Sequence, residues 1–223
     1  MLQRFISYGS FFFKDQPNLY KIAERGFKYN KKSKLFYVHD YYSKSASPEK
    51  YKTDIYTRRV LMLKEKDPKA IKEYSEIIAD FISTAIPNGM DYTIVCVPSA
   101  DKDNKSCMEY CIETIRNNQD MVKNTTIHYK DYGLNLVRTD SIEKAHKVSF
   151  FDRPSSYIQL RTIGYNKSDV KQVGDAYVVL IDDIATTGTT INACKRRFMC
   201  NKIKKKRIIK LVMAQTVKRN TNR

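Results

Sequence analysis

The chain has no tryptophan, and only seven glycines and six prolines among 223 residues. So sparse a supply of both excludes a collagen-like or low-complexity chain, and no internal repeat or flexible linker stands out. No stretch nears the roughly 20 apolar residues of a membrane-spanning helix. The segment Met1–Lys14 contains "FISYGSFFF" but has no basic lead-in and no small-residue cleavage site, which argues against a signal peptide. Five scattered cysteines make an odd, patternless set, pointing to reduced thiols in a cytoplasm rather than a disulfide scaffold. The three histidines have no partner at metal-ligand spacing. From Ile184 to Arg223 there is no acidic residue at all.

That last absence shapes the charge. Residues 1–90 carry 17 basic and 10 acidic side chains, residues 91–183 carry 12 and 14, and residues 184–223 carry 12 and none, giving a net +17. A basic C-terminal block can bind nucleic acid, anionic lipid or phosphorylated small molecules. It is equally compatible with solvated surface, and "KYNKKSK" and "NKIKKKR" lack the Gly or Ser interleaving of a disordered arm. A hydrophobic content of 42% supports one domain with an appendage, or two small ones.

"KLFYVHDYY" (Lys34–Tyr42) and "YTRRVLMLK" (Tyr56–Lys64) read as strands, with "SKSASPEKYK" as a loop between them. Asp67 and Pro68 then open a helix whose apolar stripe is Ile71, Tyr74, Ile78, Phe81 and Ala85. Beyond it strands and helices alternate. Tyr92–Val97, "NTTIHYKDY", Ala176–Ile181 and Arg207–Ala214 are expected strands. "KSCMEYCIETIRNN", with Cys107, Met108, Cys111, Ile112 and Ile115 inward, and "TTINACKRRFMC", with Ile191, Cys194 and Phe198 inward, are expected helices. This alternation predicts an α/β fold with a doubly wound, mostly parallel sheet. The long polar stretch at about 134–175 reads as a lid-like insertion. The cysteines on the apolar stripes fit small core residues better than a metal site.

The most informative string is "LIDDIATTGTT", Leu180–Thr190. In an open parallel sheet, ligands sit beyond the carboxyl ends of the strands, where Asp182 and Asp183 are expected. The turn that follows leads into a helix, so backbone N–H groups converge where the helix dipole favours an anion. Gly188 allows close backbone approach and the threonines add hydroxyl donors. The adjacent acids suit the hydroxyls of a diol or a hard cation. A phosphate cradle beside a diol-binding acid pair describes a ribose 5-phosphate; a capped turn with two surface acids is the plainer alternative.

"VVLIDDIATTGTT" resembles the signature of the type I phosphoribosyltransferases, which bind phosphoribosyl pyrophosphate (PRPP). The wider layout is most similar to the ComF-like branch, through "RVLMLKEKDPKAIKEYSEIIADFI", "TIVCVPSADKDN" and the ending "IIKLVMAQTV". The resemblance covers about residues 56–217. It implies an N-terminal hood at 1–66 and a PRPP-binding core at 67–223. It implies that Asp182 and Asp183 are the catalytic pair at the ribose and the indirect, substrate-mediated holders of Mg2+. Ala185, Thr186, Thr187, Gly188, Thr189 and Thr190 would enclose the 5-phosphate. Ser99, Ala100, Asp101 and Lys102 would face the pyrophosphate, although an ordinary polar turn also explains them. Arg138, Lys144, His146 and Arg153 are the candidate lid cations.

The implied activity is transfer of ribose 5-phosphate from PRPP to a nitrogen acceptor such as a nucleobase, with Mg2+ and release of pyrophosphate. Thr186 stands where the purine-salvage branch has an acid acting as base, which disfavours a 6-oxopurine acceptor. Gln215 replaces a usual arginine near the end. The alternatives are a non-catalytic PRPP- or nucleotide-binding regulator, or a ComF-like protein meeting nucleic acid through its basic block. A homodimer is compatible with the sequence, and no membrane partner is expected.

Overall fold

The computed structural model describes residues 19–141, 155–165 and 172–217. Helix α1 (Leu19–Glu24) precedes an antiparallel hairpin of β1 (Lys28–Asn30) and β2 (Leu35–Tyr41), in which Tyr29 stands opposite Phe36. Two helices follow, α2 (Pro48–Thr53) and α3 (Ile55–Lys64), where the sequence suggested a loop and a strand. The aromatic and β-branched residues of Tyr56–Lys64 carry only a weak strand preference. A helix start overrides it. Asp54 caps α3, its Oδ2 accepting from the Thr57 amide at 2.7 Å, and Thr57, Val60 and Leu63 line one buried face.

The alternating half follows the sequence closely. In α4 (Pro68–Ala85), Asp67 Oδ1 accepts from the amides of Lys69 and Ala70, and Tyr74, Ile78, Phe81 and Ala85 are buried. Strand β3 (Asp91–Cys96) leads to α5 (Cys107–Asn117), whose start is fixed by the reciprocal bonds of Ser106 and Glu109. The five inward residues expected for α5 are all buried. Strand β4 shrinks to His128–Tyr129 at the sheet edge. A small antiparallel pair, β5 (Leu136–Arg138) and β6 (Ile163–Tyr165), flanks α6 (Ser156–Arg161). Then come β7 (Tyr177–Ala185), α7 (Thr189–Cys200) and β8 (Ile208–Thr216).

The six-stranded sheet runs β1-β2-β8-β7-β3-β4, and every pairing but β1–β2 is parallel. Side chains alternate across it. Val179 and Ile181 of β7 and Leu211 and Met213 of β8 pack with Val60, Leu63, Ile78, Phe81, Met108 and Ile115 of α3, α4 and α5. Val178, Leu180, Ile208 and Val212 pack on the other face with Ile191, Cys194 and Phe198 of α7. The fold is mixed α/β with helices on both faces of a mostly parallel sheet.

Packing links the segments on either side of residue 66 and ties part of the 134–175 stretch to the core. Because β2 pairs with β8, residues 28–41 belong to the central sheet, and α3 shares a core with α4 across residue 66. Within 134–175, Leu136 and Ile163 are buried in the core beneath α7, so the described part of this insertion is packed structure. No described helix is long and apolar enough to cross a membrane. Burial pushes the thiols of Cys96 and Cys111 up to about 12, as expected of inert core cysteines.

Candidate functional site

Parallel pairing of β3 and β7 brings two turns to the same end of the sheet. Cys96 stands opposite Ile181, and the Val97 amide donates to Ile181 O at 2.8 Å. Strand β7 does not stop there. Asp182 still pairs with Val212, Ile184 with Ala214 and Ala185 with Gln215. The two acids therefore lie inside the strand, not beyond its end as the sequence suggested. Edge-to-edge support from β8 carries the strand four residues past Ile181, to Ala185.

Neighbouring side chains of a strand tend to alternate between its faces, and the two acids meet different surroundings while their carboxyl groups also hydrogen-bond to each other. Asp183 meets the α3 and α5 side, with its Oδ2 at 3.3 Å from Lys64 Nζ and 3.8 Å from Cys107 Sγ. Burial opposes a charged Lys64, but the Asp183 carboxylate outweighs it and raises the lysine pKa. Asp182 accepts the Asp183 amide through Oδ1 at 3.0 Å. Its pKa is raised well above 3.8, first by burial and then by the charge of Asp183; the Asp183 amide and Lys64 offset only part of this.

After Ala185 the chain turns through exposed Thr186 and Thr187. Gly188 adopts φ 73°, ψ 15° and forms the N-cap of α7. A side chain is strained in that left-handed region, so glycine serves a conformational purpose here. The hydroxyls of Thr187 and Thr189 are 2.7 Å apart. A cavity of about 70 Å³ is lined by Asp182, Ile184, the whole run Ala185–Thr190, Ile191 and Gln159 of α6. All six residues expected around an anion thus share one cavity with Asp182.

The turn after β3 holds Ser99, Ala100, Asp101 and Lys102. Asp101 organises it, accepting from the Asp103 amide at 3.2 Å and Asn104 Nδ2 at 3.1 Å, while the Lys102 amide donates to Ser141 Oγ at 3.2 Å. Ser99, Asp101 and Lys102 line a larger cavity of about 510 Å³ between β3, α5 and β5. Its walls mix Asp101, Asp103, Glu109 and Glu113 with Lys102, Lys105, Arg116 and Arg138, so it is not a uniformly cationic basin. The larger cavity is therefore not the one that contains the acid–threonine string; chemistry, not volume, favours the smaller.

Arg138, expected as a lid cation, is only 7% exposed. Its Nε donates to Ser99 O at 3.2 Å and its Nη1 to Gln159 Oε1 and Thr162 Oγ1 at 3.1 and 2.7 Å. It thereby ties the turn after β3 to the α6 end of the smaller cavity. Lys144, His146 and Arg153 lie outside the described residues. Lys64, Gln159, Asn192 and Lys210 approach the site without having been singled out by sequence, and Cys107, expected only as a core residue, lies beside Asp183. Only Lys210 left a signal there, as one cation inside the apolar run "RIIKLVMA".

No protein-family model and no curated protein sequence matches the chain. Solved structures resemble it in part. A ternary substrate complex of hypoxanthine phosphoribosyltransferase from Trypanosoma cruzi is 13% identical, with a TM-score of 0.36 over 74% of this chain and 73% of that one. The enzyme of the same name from Staphylococcus aureus is 10% identical, with a TM-score of 0.33 over 69% of this chain and 67% of that one. The T. cruzi enzyme with its product IMP gives 13% and 0.34, over 70% and 67%.

Proposed function

We propose that the chain is a PRPP-dependent phosphoribosyltransferase most similar to the ComF-like branch, acting in the cytoplasm on a nitrogen acceptor such as a nucleobase. One observation carries the reading: an Asp-Asp pair in a parallel strand runs directly into a left-handed glycine that opens a helix, around a single cavity.

In this reading the amides and hydroxyls of Ala185–Thr190 hold the 5-phosphate, and Asp182 and Asp183 hold the ribose hydroxyls. The C1–diphosphate bond breaks, the C1–N bond forms, and the ribose ring carries positive charge between the two events. The two carboxylates would stabilise that charge. Lys102 and the Ser99–Asp101 turn face the departing diphosphate. Thr186 supplies no carboxylate to accept a proton, which disfavours a 6-oxopurine acceptor.

Mg2+ fits as an ion carried mainly by PRPP, with Asp182 and Asp183 reaching it through substrate. Asp183 already faces Lys64, and no cluster of three or more His, Cys, Asp or Glu ligands occurs among the described residues. When bound, the ion would neutralise diphosphate charge. Calorimetric titration with PRPP and Mg2+, alongside pyrophosphate release with a panel of nucleobases, tests the reading; Asp183→Asn should abolish release. Absence of both heat and thermal protection by PRPP overturns it. Heat without pyrophosphate release would instead establish a PRPP-binding regulator, a reading favoured by Thr186 and by the Lys64–Asp183 contact.

A further inference from the structure

Lys210 sits in the middle of β8, opposite Leu180, and is 3% exposed. A lysine so deeply buried normally pairs with a carboxylate. Here its Nζ donates to two neutral oxygens, Ser33 O in the β1–β2 turn and Asn192 Oδ1 in the first turn of α7. An ammonium has donors only, so the Asn192 oxygen must face it and the amide nitrogen must face away. That nitrogen, Nδ2, lies 3.7 Å from the position a Cβ on Gly188 would occupy. Separately, the backbone N–H of Asn192 donates to Gly188 O at 3.0 Å, the first turn bond of α7. On the other side, Leu35 Cδ2 and Ser33 Cβ stand 3.5 and 3.6 Å from that same position. Lys210 therefore joins the two elements that enclose Gly188 and sets the direction of the amide behind it.

We propose that Lys210 is a positioning residue for the Thr186–Thr190 loop, its ammonium orienting Asn192 so that an N–H donor and a buried positive charge both back Gly188, where a phosphate monoester dianion docks. The proposal rests on reading that loop as a phosphate cradle. Among the described residues, the charged groups acting on Lys210 are Lys195 of α7 and Lys34 of the β1–β2 turn, with no carboxylate among them. Burial, then these two cations, lower its pKa to about 8. Its charge is accordingly lost just above neutral pH, where a phosphate monoester, with its second ionisation near about 6, stays a dianion.

The test uses the full chain and ribose 5-phosphate as probe, with affinity measured by calorimetry across the alkaline range. Wild-type affinity should fall about tenfold, within the usual span of site coupling, with a midpoint near 8. Lys210→Met should bind weakly at neutral pH and show no such slope. Lys195→Gln removes a neighbouring cation and should move the wild-type midpoint upward. If Lys210→Met fails to fold, judged by circular dichroism, the wild-type slope and the Lys195→Gln shift decide. A folded Lys210→Met with the wild-type pH profile, or a Lys195→Gln midpoint that does not move, overturns the assignment while leaving the phosphate loop intact. A wild-type chain that binds no ribose 5-phosphate at any pH overturns the loop reading and this assignment with it.

Discussion

Arg138 donates to Gln159 Oε1 across 3.1 Å, with the two residues only 7% and 5% exposed. The three hydrogen-bond partners of this guanidinium among the described residues are all neutral. Burial lowers its pKa, and the nearby Cys194 and Asp182 oppose that only in part. Replacing it with Met would leave Gln159, Thr162 and the Ser99 carbonyl short of a donor. Three stranded acceptors at about 1–3 kcal/mol each before relaxation put the loss for Arg138→Met at about 3 kcal/mol or more. Urea denaturation measures this; a change under about 0.5 kcal/mol, the range of ordinary surface substitutions, would show that the tie between turn and insertion contributes nothing.

The raised pKa of Asp182 implies a pH-dependent stability. The folded chain holds this proton more tightly than the unfolded chain does. The resulting stability is fully present below the unfolded value near 3.8 and is lost as pH rises through the folded value. Asp182→Asn mimics the protonated acid. It should leave the melting temperature near pH 4 unchanged and raise it near pH 8, by about 2–4 °C for each kcal/mol relieved. Scanning calorimetry at both pH values checks the sign; equal shifts at the two would contradict it.

Gly188→Ala isolates backbone strain from crowding. The nearest atom to the new methyl is Leu35 Cδ2 at 3.5 Å, an ordinary contact, but φ is +73°. A left-handed non-glycine residue costs about 1–2 kcal/mol, so Gly188→Ala should lose about that much and Gly188→Asn less. Thermal melts of the two variants provide the comparison, and an alanine variant as stable as the parent would refute the strained-turn account.

The basic stretch at Lys204, Lys205 and Lys206 can be removed with little structural cost. Lys204 reaches Asp175 at 2.7 Å, but both side chains are more than half exposed, at 58% and 63%. Such pairs contribute about 0–1 kcal/mol. A triple Gln substitution should therefore melt near the wild-type temperature. If the block binds nucleic acid through phosphates, the slope of log affinity against log salt should fall by about 2–3. A slope that stays the same would eliminate that surface.

Helices α4, α5 and α7 were legible because their caps and apolar spacing are local properties of the chain. Asp67 and Pro68 mark one start, and Cys107, Cys111 and Ile115 recur at helical intervals. The string Leu180–Thr190 likewise announced a buried strand, two acids and a tight turn without reference to anything distant. Helix α3 reads as a strand in the sequence because the deciding residue, Asp54, lies just before a segment that opens on the strand-prone Tyr56 and Thr57. Its buried face also forms only against α4 and the sheet. Sequence by itself thus determined the alternating elements and the acid–threonine string, since both follow from neighbours a few residues apart. Tertiary structure alone decided that Lys64 meets Asp183, that Arg138 is buried, and that Lys210 meets Ser33 and Asn192. Strand register and the folding together of segments up to 177 residues apart create those contacts, and no local pattern encodes them.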